Sequence, residues 1–297
     1  MSAVDNAHTA PPVYVAPPPR MAPGYGLFSV ATRIDAPELR FQNGIEWEGM
    51  ACSPISSVSG VCFDPADLEV DGEGEGGVPG WPIQANEGVV TTLGLPFAVY
   101  GSYKCSGVSR PLAEADLRAR QHLAIWEETE VERTIAAGDR DAAPSFQGAV
   151  DLTPGGGASV LDGFGLLESY LATNYASVGV IHMPRRLGAY ASDRGLLERR
   201  GQRLETLLGN YVAAGGGYDL ATVGPDGAPV PAGSAWLYAT SIPTVRRGEV
   251  FVHPDEEFRP QYTNNDLEIF AWRVYVVTWE CVTAAVLVDL DLPEPIV

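Results

Sequence analysis

The sequence predicts an α+β fold, on three observations. A 29-residue stretch, PLAEADLRARQHLAIWEETEVERTIAAGD (Pro111–Asp139), reads as one uninterrupted helix in a chain crowded with 33 glycines and 24 prolines. Strand-like runs lie on both sides of it, FAVYGSYKCS before and LEIFAWRVYVVTWECVTAAVLVDL at the end. Between the helix and that ending, short helical and short apolar segments alternate.

The chain opens on a proline-rich arm, residues 1 to 23, whose APPVYVAPPPRMAP favours extended polyproline geometry and cannot bury much of itself. Such a segment does not order alone, and a neighbouring subunit is expected to hold it. GLFSVATRID and FQNGIEWEGMACSP follow with mixed apolar alternation, then the acidic, glycine-rich DLEVDGEGEGGVPGWP, which reads as an exposed loop or hairpin tip. FAVYGSYKCS is a strand in which Phe97, Val99, Gly101 and Tyr103 share one face.

Ser109, Arg110 and Pro111 give the long helix its entry, Glu114 and Asp116 sit near its positive end, and Gly138 stops it. Leu112, Ala115, Ala119, Leu123 and Trp126 recur at three and four residues, and Val131 and Ile135 continue on a displaced stripe. The ridge is narrow for a rod of about 40 Å.

After DRDAAPSFQGAVDLTPGGGAS, a connector, SVLDGFGLLESYLATNY reads as helix and VGVIHM as a short buried strand. PRRLGAYASDRGLLERRG reads as a helix opened by Pro184, and LETLLGNYVAAGGGY as extended chain with glycine breaks. SAWLYATS is a strand, TVRRGEVFVH a strand or a hairpin around Arg247-Gly248, and the ending a long strand. Both faces of that ending are apolar, so it should be covered on both sides or buried in an assembly contact.

Composition narrows the function. With 19 basic and 38 acidic residues the net charge is −19, and Lys104 is the one lysine, so a nucleic-acid groove is not expected. A shell that encloses DNA without gripping it remains compatible. No apolar run reaches bilayer length, and the N-terminus lacks a signal peptide's basic start and apolar core, so a cytoplasmic origin is expected. Cys52, Cys62, Cys105 and Cys281 are scattered and read as buried free thiols rather than a zinc site. TPGGGAS lacks the lysine and spacing of a phosphate loop and reads as a flexible connector. His182 reads as a packed strand residue, and no cofactor or metal is expected.

The carboxylates Glu127, Glu128, Glu130 and Glu132 form an acidic face on the helix. The doublets Arg185-Arg186, Arg199-Arg200 and Arg246-Arg247 are matching cations, and these groups are the candidates for contacts between subunits.

PFAVYGSYKCS leading into ARQHLAIWEETEVERTIAAGD resembles the loop strand and spine helix of the Hong Kong 97-like capsid proteins of tailed bacteriophages, a fold shared with encapsulin shells. The ending YTNNDLEIFAWRVYVVTWECVTAAVLVDL resembles the late peripheral-domain strands of that family, and GVIHMPRR and LYATSIPTVRRGEVFV resemble its axial-domain strands. The resemblance spans most of residues 25 to 290 and rests on order and spacing. It implies an N-terminal arm over 1–40, an extended loop with flanking strands over 41–108, and a spine helix with peripheral domain over 109–158. An axial domain over 159–255 and peripheral C-terminal strands over 256–297 complete it.

It also implies a homo-oligomer of hexamers and pentamers in an icosahedral virion head around double-stranded DNA, assembled in the host cytoplasm, with scaffold, portal and decoration partners, no membrane and no catalysis. The scaffold would be a separate protein or absent. Some relatives weld subunits by a lysine–asparagine isopeptide bond, for which Lys104 and Asn264 or Asn265 are the candidates. Two other readings compete: an encapsulin-type compartment shell, and a small-molecule α/β enzyme resting on GVIHMP and the glycine-rich turns.

Overall fold

The computed structural model describes residues 20–35, 38–49, 91–106, 112–138, 144–220, 223–254 and 266–290. The arm through residue 19, the acidic tract, the helix entry at Ser109–Pro111, and Asn264 and Asn265 lie outside the described residues.

The expected long helix is α2, Leu112–Ala137, 26 residues or about 39 Å. Gly138 ends it at φ +65°, a conformation that glycine reaches without Cβ strain. Ala115, Ala119, Leu123, Val131 and Ile135 are buried as their spacing predicts. Trp126 is 51% exposed, however, and the buried stripe is completed by Glu127 and Glu132.

One face of α2 lies on a five-stranded sheet. Its centre is β13 (Asp266–Thr278), paired antiparallel along one side with β4 (Phe97–Ser106). Along its other side run β11 (Thr244–Arg247) and β12 (Phe251–His253), and β1 (Thr32–Asp35) joins β11 in parallel. Segment 244–253 is thus one interrupted strand, bridged where Gly248 N–H donates to the Val274 carbonyl at 2.9 Å, and not a hairpin. On β4, Val99 and Gly101 are buried toward the helix as the alternation requires, and Tyr100 is 67% exposed on the other face.

The second sheet has seven strands in the order β5 (Val150–Asp151), β14 (Thr283–Asp289), β10 (Ser234–Thr240), β6 (Val180–Pro184), β9 (Tyr211–Gly215), β8 (Arg203–Thr206) and β7 (Leu197–Arg200). Helix α3 (Val160–Asn174) packs Phe164, Leu167 and Leu171 into its core, and Ser159 caps it by accepting from Asp162 N–H at 3.2 Å.

Several expectations change here. The terminal segment is two strands: Thr278 and Thr283 sit in different sheets, and Cys281, at φ +58°, lies at the bend between them. Cys281 is exposed and disulfide-bonded, so the buried free-thiol reading fails there. The helix expected from Pro184 shrinks to α4 (Leu187–Asp193), because Pro184 closes β6 and Gly195, at φ +68°, turns the chain into β7. TPGGGAS is tied to β14: Leu287 N–H donates to Thr153 Oγ1 and Asp289 N–H to the Ala158 carbonyl, both at 2.9 Å.

The bend at 279–282 mirrors the one at 241–243. Thr240 pairs with Thr283 and Thr244 with Thr278, so a single antiparallel ribbon passes from one sheet into the other. One continuous core cluster follows it, from Val99, Leu123 and Tyr275 to Tyr238, Val180 and Ala285. His182 is packed inside the second sheet as expected, with Nδ1 2.9 Å from the Tyr218 hydroxyl and Nε2 2.8 Å from Thr240 Oγ1. Burial lowers its pKa to about 3, so it is neutral at ordinary pH.

Candidate assembly surfaces

The acidic run on α2 divides by helical phase. Glu127 turns into the five-stranded sheet, where it receives Arg247 Nη1 at 3.0 Å, Arg273 Nη1 at 2.9 Å and the Tyr275 hydroxyl at 2.5 Å. Arg247 reaches on to Asp35 on β1, whose carboxyl it holds below the ordinary range. Burial, with Glu127 alongside, pushes the Tyr275 phenol well up, so it stays a donor. A carboxylate only 8% exposed is thereby fully partnered.

Glu128 and Glu132 point the other way and grip the start of the described chain. Phe28 N–H donates to Glu128 Oε1 at 2.7 Å, and Leu27 N–H to Glu132 Oε1 at 2.8 Å. Gly217 N–H, from the short helix α5 (Gly216–Leu220), donates to Glu132 Oε2 at 2.9 Å. The Glu132 carboxylate sits where Gly26 and Gly215 leave room: an added Cβ would fall 2.5 and 2.2 Å from its atoms. Burial lifts Glu132 to about 7 and raises Glu128 as well.

Arginines complete this clamp. Arg185 donates to the Gly24 carbonyl at 2.8 Å, Arg203 to the Ser29 carbonyl at 3.2 Å, and Arg199 lies over the Tyr25 ring at 5.4 Å. Residues 24–29 are therefore bound by α2, by Arg185, by β9, whose Ala214 N–H donates to the Tyr25 carbonyl at 2.7 Å, and by the β7–β8 hairpin.

Of the residues expected to meet other subunits, Glu127, Glu128, Glu132, Arg185 and Arg247 thus hold contacts inside their own chain. Arg246 donates to Thr278 Oγ1 at 3.2 Å, and burial lowers its pKa. Glu130 pairs with Arg133 on the helix surface. Arg186 lies 3.5 Å from Asp219, and Arg200 lies 3.3 Å from Glu205 with its side chain 64% exposed, so these cations keep solvent-facing surface. Lys104 is exposed on β4, opposite Glu268 in the register.

Sequence reasoning missed Asp35, Arg273 and Tyr275, whose partners lie more than a hundred residues away in the chain. The glycines of PGYGLF and AAGGGY were the available signal for the clamp, since a carboxylate and backbone N–H groups approach where side chains are missing.

Two surfaces are only partly covered among the described residues. Tyr100, Phe251, Phe270 and Trp272 form an aromatic patch on the sheet face away from α2, with the Phe251 and Trp272 rings 4.8 Å apart. A groove of about 690 Å³ runs between β4 and α2, lined by residues 96–101 of the strand side and by His122, Trp126, Glu130 and Arg133 of the helix.

No family model and no curated protein matches the chain. Among solved structures it is similar to the capsid of a native GTA particle, at 12% identity over 97% of each chain with a TM-score of 0.57. It is also similar to a chain of Microbacterium phage Oxtober96, at 11% identity over 94% of this chain and 96% of that one, TM-score 0.52. The capsid of Ralstonia phage GP4 matches over 99% of each chain at 9% identity and TM-score 0.52. The chain has the fold of these phage capsid structures, as the order of its parts implies.

Proposed function

We propose that the chain is the major capsid protein of a tailed bacteriophage, a structural subunit without catalysis that assembles as hexamers and pentamers into an icosahedral head around double-stranded DNA. The observation that carries this reading is the end-to-end fold match to capsid chains, which leaves neither chain a large unmatched portion. Apolar surface left open on both the sheet and the groove supports it, because such surface is covered when copies associate.

In this reading α2 is the spine helix, the five-stranded sheet belongs to the peripheral domain, and the seven-stranded sheet is the axial domain. Strand β14 then belongs to the axial sheet rather than to a peripheral unit over 256–297. The arm, the loop after β2 (Ile45–Glu48) and the exposed arginines Arg186, Arg199 and Arg200 supply contacts to neighbours, with scaffold, portal and decoration proteins as further partners. A charge of −19 suits a shell that lets packaged DNA slide.

Negative-stain electron microscopy of the purified protein tests the reading: closed shells tens of nanometres across are expected, and a persistent 31.6 kDa monomer under all assembly conditions overturns it. On a denaturing gel of those particles, a ladder would support the Lys104 to Asn264 or Asn265 weld, and a single band removes it.

A further inference from the structure

The groove between β4 and α2 has an unusual wall. Residues 96–101 line it consecutively, which places the strand's edge, rather than one of its faces, along the opening. Among the described residues β4 pairs only with β13, so along its other edge alternate residues present N–H and C=O groups with no strand beside them. The opposite wall is helical, with Trp126 half exposed and the Glu130–Arg133 pair beside it. An open strand edge with an aromatic side wall is the geometry that accepts an added strand, the edge supplying backbone hydrogen bonds and the wall a seat for alternate side chains.

We propose that this edge is completed by the segment Pro11–Pro17, PPVYVAP, of a second copy of the chain. Val13, Tyr14 and Val15 are strong strand formers, and prolines on both sides confine pairing to those few residues. The segment carries no charge, whereas residues 64–75 bring six carboxylates and no cation toward a groove whose own carboxylates, Glu127 and Glu130, are already paired with arginines.

The arm that fits is not the chain's own. Residues 24–29 are clamped through Glu128 and Glu132, while Trp126, Glu130 and Arg133 lie on the opposite flank of α2 by helical phase. A chain using its own arm would have to lead it across the helix. The inference rests on the shell reading for its second copy, and it names what the arm grips in a neighbour.

The test uses full-length protein bearing p-benzoylphenylalanine in place of Trp126, assembled from equal parts of light and nitrogen-15-labelled copies. After irradiation and trypsin digestion, the adduct expected is to the N-terminal peptide ending at Arg20, in mixed-isotope pairs. Two arm variants then read the backbone pairing. In an added strand successive N–H groups point to opposite sides, so one of Tyr14→Pro and Val15→Pro should cut the yield about fivefold and the other much less.

Adducts confined to one isotope, adducts only to other peptides, no adduct, or equal loss in both proline variants would each overturn the proposal. Micrographs of the same preparation keep the two questions apart. Shells without the arm adduct leave the capsid reading standing and remove this one, and an absence of particles removes the capsid reading whatever the adducts are.

Discussion

Glu132 is the residue on which pH should act. Its carboxyl titrates at about 7 in the folded chain because it is buried, against an ordinary 4.5. Between those values the Glu132 site holds more protons in the folded state than in the unfolded one, so its contribution to stability is fullest below pH 4.5 and declines as pH rises through 7, by about 3 kcal/mol in all. Glu128, raised by the same burial, acts in the same direction. Asp35, lowered by Arg247, acts oppositely but only below its ordinary 3.8, outside this window. His182, lowered to about 3 by burial against an ordinary 6.5, also acts oppositely and adds stability as pH rises toward 6.5. The Glu132 effect is therefore read as a difference: the urea midpoint of Glu132→Gln relative to the wild-type subunit should climb between pH 5 and 7.5, and parallel profiles of the two proteins would refute the raised pKa. Glu127 makes a second, pH-independent prediction. Glu127→Ala leaves Arg247 and Arg273, each with its side chain only 18% exposed, without their shared carboxylate and should cost about 3–5 kcal/mol. Glu130→Ala breaks only a surface pair and should change stability by less than about 0.5 kcal/mol, measured in the same denaturation series.

At the scale of elements, α5 packs backbone to backbone against α2 at Gly217. A Cβ on Gly217 would fall 2.1 Å from the Thr129 carbonyl oxygen and 2.6 Å from Arg133 N, both backbone atoms of the long helix that cannot swing aside. Gly217→Ala should force the two helices apart and lower stability by about 2–3 kcal/mol. Gly165 on α3 is the control: nothing lies within 4 Å of its added Cβ, so Gly165→Ala should raise stability by about 0.5–1 kcal/mol through helix propensity. Thermal melts of the two variants should move in opposite directions. The contrast also explains what could be read in advance. The limits of α2 follow from a local period and a terminal glycine, and β4 from strict alternation. The inward turn of Glu127 and Glu132 does not, since a charged residue looks solvated until its partners at Arg273, Leu27 and Gly217 are known. The terminal segment looked like one strand because both halves are β-branched, and only the bend at Glu280–Val282, held by Val282 N–H donating to the Glu280 carbonyl at 2.6 Å, separates them.

For the whole molecule, the question is which electrostatic effect governs association. Each copy carries −19, and charges on neighbouring copies repel over a Debye length of about 30 Å at 0.01 M salt and about 8 Å at 0.15 M. Against that repulsion stand exposed arginines, Arg186, Arg199 and Arg200, whose pairing with carboxylates of another copy is worth about 0–1 kcal/mol each and is screened by the same salt. The remaining attraction comes from apolar surface such as the Tyr100–Trp272 patch and the β4–α2 groove, which added salt does not weaken. Repulsion is long-ranged and summed over every copy in a ring, whereas the arginine pairs are few and local, so screening should help more than it harms. Light scattering of purified subunits should then show the concentration needed for assembly falling as salt rises from 0.01 to 0.15 M. A threshold that instead climbs with salt would mean that arginine–carboxylate pairs, and not apolar burial, hold the copies together, and the triple variant Arg186→Gln, Arg199→Gln, Arg200→Gln would then abolish assembly rather than shift it.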